Sequence, residues 1–205
     1  MQIEIYNMIP VGANISISLE AVCDSFSSLL WDIEYYKCGA FEVYIAASPR
    51  NIEIFQTGRI VGRDDDKEYF GLIESVELET DAEDGDYLII KGRFLMCLLE
   101  RRIIYLTFNF TKLVSYSQIA MNVVQYNACT TGIRKLPGLV VGCSSGTCWD
   151  TKTKLQVSYD NLMEWVYTIC EKIGGTANIR LSKTDNEQYE MFLSIILDTF
   201  YSRRM

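Results

Sequence analysis

At 205 residues, 49% hydrophobic and 22% charged with only 3 Pro and 13 Gly, the chain has the size of one domain or two small ones and lacks the composition of a disordered polypeptide. It contains no histidine, which removes the usual near-neutral proton shuttle, Ser-His and Cys-His nucleophile pairs, and His-ligated zinc. The net charge of −8 is uneven: residues 1–105 hold 9 basic and 19 acidic side chains and residues 106–205 hold 10 and 8, so nucleic-acid binding across the whole chain is disfavoured and a basic patch on the second half stays open.

In chain order, Gln2–Tyr6 and Asn14–Glu20 alternate polar and apolar residues, the period of two expected of strands with one buried face. Leu29–Tyr36 and Gly39–Ile45 are β-prone runs separated by Lys37-Cys38-Gly39, which predicts a hairpin. Ser48-Pro49 interrupts the sheet, because proline donates no ladder hydrogen bond, and a short helical turn is expected over Asn51–Phe55. Strand signals return at Gly58–Arg63, Phe70–Glu79 and Tyr87–Gly92, the last two joined through Asp84-Gly85, a dipeptide that tolerates the positive φ of a tight hairpin. Phe94, Leu95, Cys97, Leu98 and Leu99 then share one face of a short amphipathic helix, with Arg101-Arg102 near its C-terminus.

A domain seam is expected near Ile104–Asn109. Beyond it, Ser115-Tyr116-Ser117-Gln118 has capping-box spacing ahead of a helix over Tyr116–Asn127. Leu139–Val141 and Lys154–Ser158 read as strands around the loop 142–151. Asp160 is placed to cap a helix over Asn161–Ile173 that stops at Gly174-Gly175, with Leu162, Trp165, Val166, Ile169 and Ile173 as its apolar stripe. Ala177–Leu181 and Tyr189–Leu197 form a hairpin across Asp185-Asn186. The fold class is therefore α+β: a β-rich, barrel-like first domain with a short terminal helix over 1–105, then a smaller α-β-β-α-β-β domain over 106–205. No repeat or low-complexity tract interrupts it.

Candidate chemistry is sparse. Asp64, Asp65, Asp66 and Glu68, and Asp81, Glu83, Asp84 and Asp86, are the densest carboxylate clusters, but neither has the ligand spacing of a calcium loop and both fall on hairpin turns, where solvated acids are common. With 27 acids, no pair stands out as a glycosidase dyad. Gly142-Cys143-Ser144-Ser145-Gly146 mimics a nucleophile elbow without a histidine to act as its base, and no phosphate-binding glycine motif occurs. Seven scattered cysteines suit free thiols in a reducing compartment; Cys143 and Cys148 alone are spaced to close a small loop or to offer two thiolates, and no CxxC supplies the two further soft ligands a metal would need. No run of about 18 apolar residues spans a membrane, and the N-terminus lacks the basic and apolar regions of a signal peptide. Trp31, Tyr35, Tyr36, Phe41 and Tyr44 form an aromatic set on adjacent predicted strands, suited either to core packing or to stacking on sugar rings.

The ordered series Trp31-x-x-x-Tyr35-Tyr36-x-x-Gly39-x-Phe41-Glu42, Gly71-Leu72-Ile73-Glu74-x-Val76-Glu77 and Lys91-Gly92-Arg93-x-Leu95-x-x-Leu98-Leu99-x-Arg101-Arg102-Ile103 resembles a family of siphophage and prophage tail proteins related to the baseplate hub. Arg134-Lys135-Leu136-Pro137-Gly138-Leu139 and Val157-Ser158-Tyr159-x-Asn161-Leu162 continue the resemblance across nearly the whole chain. It implies a non-enzymatic structural protein of a long noncontractile tail, made in the bacterial host cytoplasm and then part of the virion tail tip or baseplate hub. It also implies assembly with other phage tail proteins and with copies of itself, commonly a trimer, with no catalytic, cofactor-binding or metal residues, no cofactor, no nucleic acid and no membrane insertion. Family members run well past this length, so the chain, ending at Phe200-Tyr201-Ser202-Arg203-Arg204-Met205, is expected to be a C-terminally shortened copy. The aromatic set supports a second hypothesis, a carbohydrate-binding module for the bacterial surface centred on Trp31 and Tyr36; a carboxylate-based wall hydrolase is a third.

Overall fold

The computed structural model describes residues 1–11, 14–81, 85–130, 132–142, 152–184 and 189–197. They form two compact units: Met1–Glu34, Cys38–Leu95 and Arg180–Glu190 make the first, and Tyr35–Lys37, Met96–Ile179 and the residues from Met191 onward the second.

The first unit is an antiparallel sheet. Its strands are β1 (Ile3–Val11), β2 (Asn14–Cys23), β3 (Ser28–Asp32), β4 (Ala40–Ala46), β5 (Ile60–Arg63), β6 (Asp66–Asp81) and β7 (Gly85–Phe94). They are ordered β2-β1-β5-β6-β7-β4-β3. Among the described residues no ladder joins β3 to β2, so the expected barrel is an open sheet with β3 at an edge. Alternation reports one buried face; it carries no information on whether the two edges meet. The hairpin expected of Leu29–Tyr36 and Gly39–Ile45 forms between β3 and β4, with Trp31 opposite Phe41, but β3 ends at Asp32 and leaves Tyr35 and Tyr36 outside the sheet.

Alternate residues of these strands make one apolar face. Ile3, Ile5, Phe41, Val43, Ile45, Val61, Ile73 and Ile90 are buried together with Ile54 and Phe55. The last two belong to or follow α1 (Pro49–Ile54), whose N-terminus is fixed by Ser48: its hydroxyl accepts the Asn51 N–H at 3.1 Å, and Pro49 sits where no N–H is needed. Phe41 occupies a seat made by two glycines, Gly92 on the adjacent strand β7 and Gly71 on β6 beyond it. A β-carbon at Gly92 would lie 1.9 Å from the Leu72 carbonyl oxygen and 2.7 Å from Phe41 Cε1, and one at Gly71 would lie 2.2 Å from the same ring carbon. Residues 180–190 complete the unit: Tyr189 pairs with Ile17 and meets Tyr6 edge-on at 5.1 Å, and Arg180 reaches Glu68 at 2.9 Å.

The second unit contains α2 (Cys97–Glu100), β8 (Phe108–Ser115), α3 (Tyr116–Val124), β9 (Leu139–Val141), β10 (Lys152–Val157) and α4 (Leu162–Ile173). Two further strands, β11 (Gly175–Lys183) and β12 (Tyr189–Leu197), contribute residues to both units. The strand β8 starts at the end of the stretch Ile104–Asn109 and precedes α3, a strand that the expected α-β-β-α-β-β order lacks. The sequence neighbours β9 and β10 do not pair: β9 runs parallel to β12, and β10 pairs antiparallel with β8 as a two-stranded ribbon. Ser115 caps α3 by accepting the Gln118 N–H at 3.4 Å, whereas the Gln118 side chain turns to Asn122 and completes no capping box. Where α3 was expected to end at Asn127, a π-helical turn carries the backbone to Cys129.

Asn161, not Asp160, caps α4, its Oδ1 accepting the N–H groups of Met163 and Glu164 at 3.0 and 3.3 Å. The helix stops at Gly174, whose φ of +63° a β-carbon would disfavour. Its buried stripe includes Leu162, Trp165, Val166 and Ile169, and it packs against α2 and α3.

Burial pushes the Cys170 thiol up to about 12 and the Cys129 thiol up to about 11, and burial with the neighbouring Glu4 carboxylate raises the Tyr6 hydroxyl as well. All three favour their protonated forms in the fold. Their contribution is therefore complete below the pKa of about 8.5–10 that these groups have when unfolded and is lost as pH rises through the folded values. Under reducing conditions the urea midpoint is expected to fall between pH 8 and 10.5, and Cys170→Ala to flatten that fall; a flat parent profile contradicts it. Gly92→Ala is expected to cost about 2–3 kcal/mol in urea unfolding because the added carbon meets backbone; a change under about 0.5 kcal/mol, the range of an ordinary surface substitution, contradicts the seat described for Phe41.

Candidate functional site

The aromatic set does not assemble into one platform. Trp31 and Phe41 face the core of the first unit, where the Trp31 ring lies 5.6 Å from Phe41 and 5.0 Å from Phe94, with the Arg63 guanidinium 5.8 Å from its centre. Tyr44 points to the opposite side of β4 and stacks on Tyr87 at 6.3 Å. Tyr35 and Tyr36 belong to the second unit and pack edge-on against each other at 4.8 Å. A sugar ring needs coplanar rings on one face; here β-alternation sends Trp31 and Tyr44 to opposite faces.

The first acidic cluster is consumed by its turn. Asp65 accepts from two of the Arg63 guanidinium nitrogens, Nε at 2.9 Å and Nη2 at 2.8 Å, which lowers its carboxyl below the usual range. Asp64 accepts the Gln2 N–H, Asp66 accepts those of Glu68 and Tyr69, and Glu68 meets Arg180. In the second cluster Asp86 accepts the Thr80 hydroxyl at 2.7 Å; Glu83 and Asp84 lie outside the described residues. No group of three or more potential metal ligands converges among the described residues. Cys23, Cys129 and Cys170 are free thiols and the Cys38 thiol donates to the Phe94 carbonyl at 3.2 Å, while Cys143, Cys148 and the Gly142–Gly146 segment that contains Ser144 fall, apart from Gly142, outside the described residues.

Two surface features remain. On the outer side of β3, β4, β7 and β6 an open groove of about 320 Å³ is lined by Leu30, Asp32, Glu42, Glu74, Lys91 and Arg93, among others. Arg93 clasps Glu74 through two 2.9 Å bonds, and Lys91 lies 3.2 Å from Glu77 and 3.8 Å from Glu42. Glu42, Glu74, Glu77, Lys91 and Arg93 answer one another across neighbouring strands, the arrangement of a solvated sheet face.

The second feature lies in the second unit and is built on the segment after α2. Arg102–Ile104 runs beside Tyr159–Leu162: Ile104 donates to Asp160 O at 2.9 Å, Tyr159 donates to Ile104 O at 2.6 Å, and Leu162 donates to Arg102 O at 2.9 Å. This places Tyr105 under Arg134, whose guanidinium carbon sits 4.1 Å from the ring centre. Tyr105 stacks on Tyr126 at 6.1 Å, and Phe108 meets Tyr126 edge-on at 5.3 Å. Arg102 donates to the Arg134 and Arg101 carbonyls, and Arg134 donates to that of Ile103. Burial, with Arg134 and Arg101 alongside, lowers the Arg102 pKa. Sequence reasoning assigned Arg101-Arg102 to a helix end and met Arg134 only as part of a resemblance; nothing in local pattern links positions 32 residues apart.

Residues 2–196 match the family described as Siphovirus ReqiPepy6 Gp37-like protein. No curated protein matches the chain. Among solved structures, the prophage tail protein gp18 from Listeria monocytogenes EGD-e shares the fold with a TM-score of 0.57 at 9% identity, over 95% of this chain and 50% of that one. The E. coli c3393 protein, a type VI secretion component with structural similarity to the T4 tail proteins gp27 and gp5, superposes with a TM-score of 0.52 at 10% identity, over 95% and 49%. The chain thus spans about half the length of these two structures. Over 195 of its 205 residues it belongs to the Siphovirus ReqiPepy6 Gp37-like family, in keeping with the resemblance to siphophage and prophage tail proteins that its sequence carries.

Proposed function

We propose that the protein is a structural subunit of a siphophage or prophage tail, placed at the tail tip or baseplate hub, that works by binding copies of itself and adjacent tail proteins and catalyses no reaction. The family match across residues 2–196 carries this reading. A fold shared with a prophage tail protein over 95% of the chain supports it. So does the chemistry of the surface: Glu42, Glu74, Lys91 and Arg93 in the groove are engaged in ion pairs, and the carboxylates of Asp64–Asp66 in turn hydrogen bonds and an arginine. A ring of copies, a trimer in the simplest case, suits closed assembly around a tail axis.

The direct test is an epitope-tagged chain supplied in a host that produces the cognate particle. It is expected to co-sediment with purified tails and to co-purify with neighbouring tail proteins; absence from the particles together with no partner binding contradicts the reading. The sugar-binding hypothesis makes a different demand of Trp31. Its packed position predicts that Trp31→Ala lowers stability by about 2–4 kcal/mol, the cost of removing a large side chain from a partly buried site. The parent is expected to be silent on an array of bacterial cell-wall glycans; binding there that Trp31→Ala abolishes without loss of stability contradicts it.

A further inference from the structure

The cluster at Arg102 and Arg134 is assembled but unanswered. Both guanidinium groups have carbonyl oxygens as their hydrogen-bond acceptors, and Arg134 Nε is buried with no acceptor among the described residues. Beside it stand large side chains open to solvent: Ile133 is 103% exposed, Tyr159 74% and Ile103 51%. Arginine and tyrosine beside exposed apolar side chains is the composition of protein contact centres, and a guanidinium at such a surface attracts a carboxylate.

The chain itself carries the complementary surface. The first unit holds 8 basic against 21 acidic side chains and the second 11 against 6. Beyond Ile73, β6 has β7 as its only ladder partner among the described strands, so its other edge is open along Glu77-Leu78-Glu79. Leu78 is 61% exposed there, and its neighbours Glu77, 3.2 Å from Lys91, and Glu79, which accepts the Tyr87 hydroxyl at 2.7 Å, are solvent-exposed pairs that an incoming guanidinium can exchange. The sequences Glu77-Leu78-Glu79 and Ile133-Arg134 are matched in kind, an apolar side chain flanked by acid against one flanked by base.

Resting on the tail-subunit reading, we propose that the Glu77–Glu79 edge of one copy docks on the Ile133–Arg134–Tyr105 patch of a second copy. The contact is head-to-tail, because patch against patch would oppose arginines.

Sedimentation of the full chain tests this. The parent is expected to associate above its 23.5 kDa monomer mass as concentration rises, and to return toward monomer in about 0.5 M salt, where charge pairing is screened. Ile133→Asp, at a fully exposed side chain, and Leu78→Asp are each expected to weaken association at least about tenfold with unchanged melting temperature. Arg134→Gln is expected to weaken association as well, with a lower melting temperature because Arg134 also packs on Tyr105 and donates to the Ile103 carbonyl. Mixed, the Ile133→Asp and Leu78→Asp chains each keep one intact surface and are expected to form 1:1 dimers and nothing larger. A monomeric parent, association that survives these variants, or self-association of Leu78→Asp at parental strength overturns the proposal. Incorporation of the chain into tails is read separately, so a subunit that enters tails but fails here leaves the tail reading standing and removes this contact.

Discussion

The first unit depends on one steric constraint: the Phe41 ring lies where two neighbouring strands carry no side chain. Gly71 on β6 and Gly92 on β7 let the ring reach within 3 Å of where their β-carbons would stand. Trp31 packs on the far side of Phe41 and on Phe94, and Gly39 leaves room for the Phe94 ring, 2.8 Å from where its own β-carbon would be. Because side-chain alternation has a period of two, seating Phe41 inward fixes Val43 and Ile45 in the same core and turns Glu42 and Tyr44 outward. The outward row then meets Lys91 on β7, and the next position along meets the Arg93–Glu74 clasp. The short motifs by which the chain resembles its family, at Trp31, Gly39, Phe41, Gly71, Glu74, Gly92 and Arg93, converge on this one place. They specify packing and register.

Local signals were legible where local physics decides the outcome. Ser48-Pro49 marked α1, Asp84-Gly85 lay between the two strands that pair as β6 and β7, and the stripe ending at Gly174 gave α4. Errors of one residue arose where two neighbours were chemically able to do the same task, as with Asp160 and Asn161 at the α4 cap. Larger departures have non-local causes. The alternation Phe108-Asn109-Phe110-Thr111 is a sound strand signal, but its partner lies more than 40 residues onward in β10, and no turn marks the pairing. The edges of an antiparallel sheet are equally invisible to alternation, so the open sheet of the first unit reads in sequence like a barrel.

The arginine–tyrosine patch shows the same limit at the level of function. Each component has an ordinary local explanation: cations after a short helix, a tyrosine in a connecting segment, a basic pair before a proline. Only the fold brings Arg102, Tyr105, Tyr126 and Arg134 together, through the short ladder between Arg102–Ile104 and Tyr159–Leu162. Tyr159 holds a φ of +58°, an uncommon conformation for a residue with a side chain, at the point where that ladder turns toward α4. The charge asymmetry noticed between the two halves of the sequence sharpens when the residues are grouped by unit, since the first gathers most of the acids.

The most direct measurement is a reconstruction of the intact tail by electron microscopy at a resolution that traces strands. A tail subunit predicts density for the β3-β4-β7-β6 sheet repeated around the tail axis at its distal end. A complete tail whose density is fully assigned to other proteins, with no copy of this sheet, would contradict it.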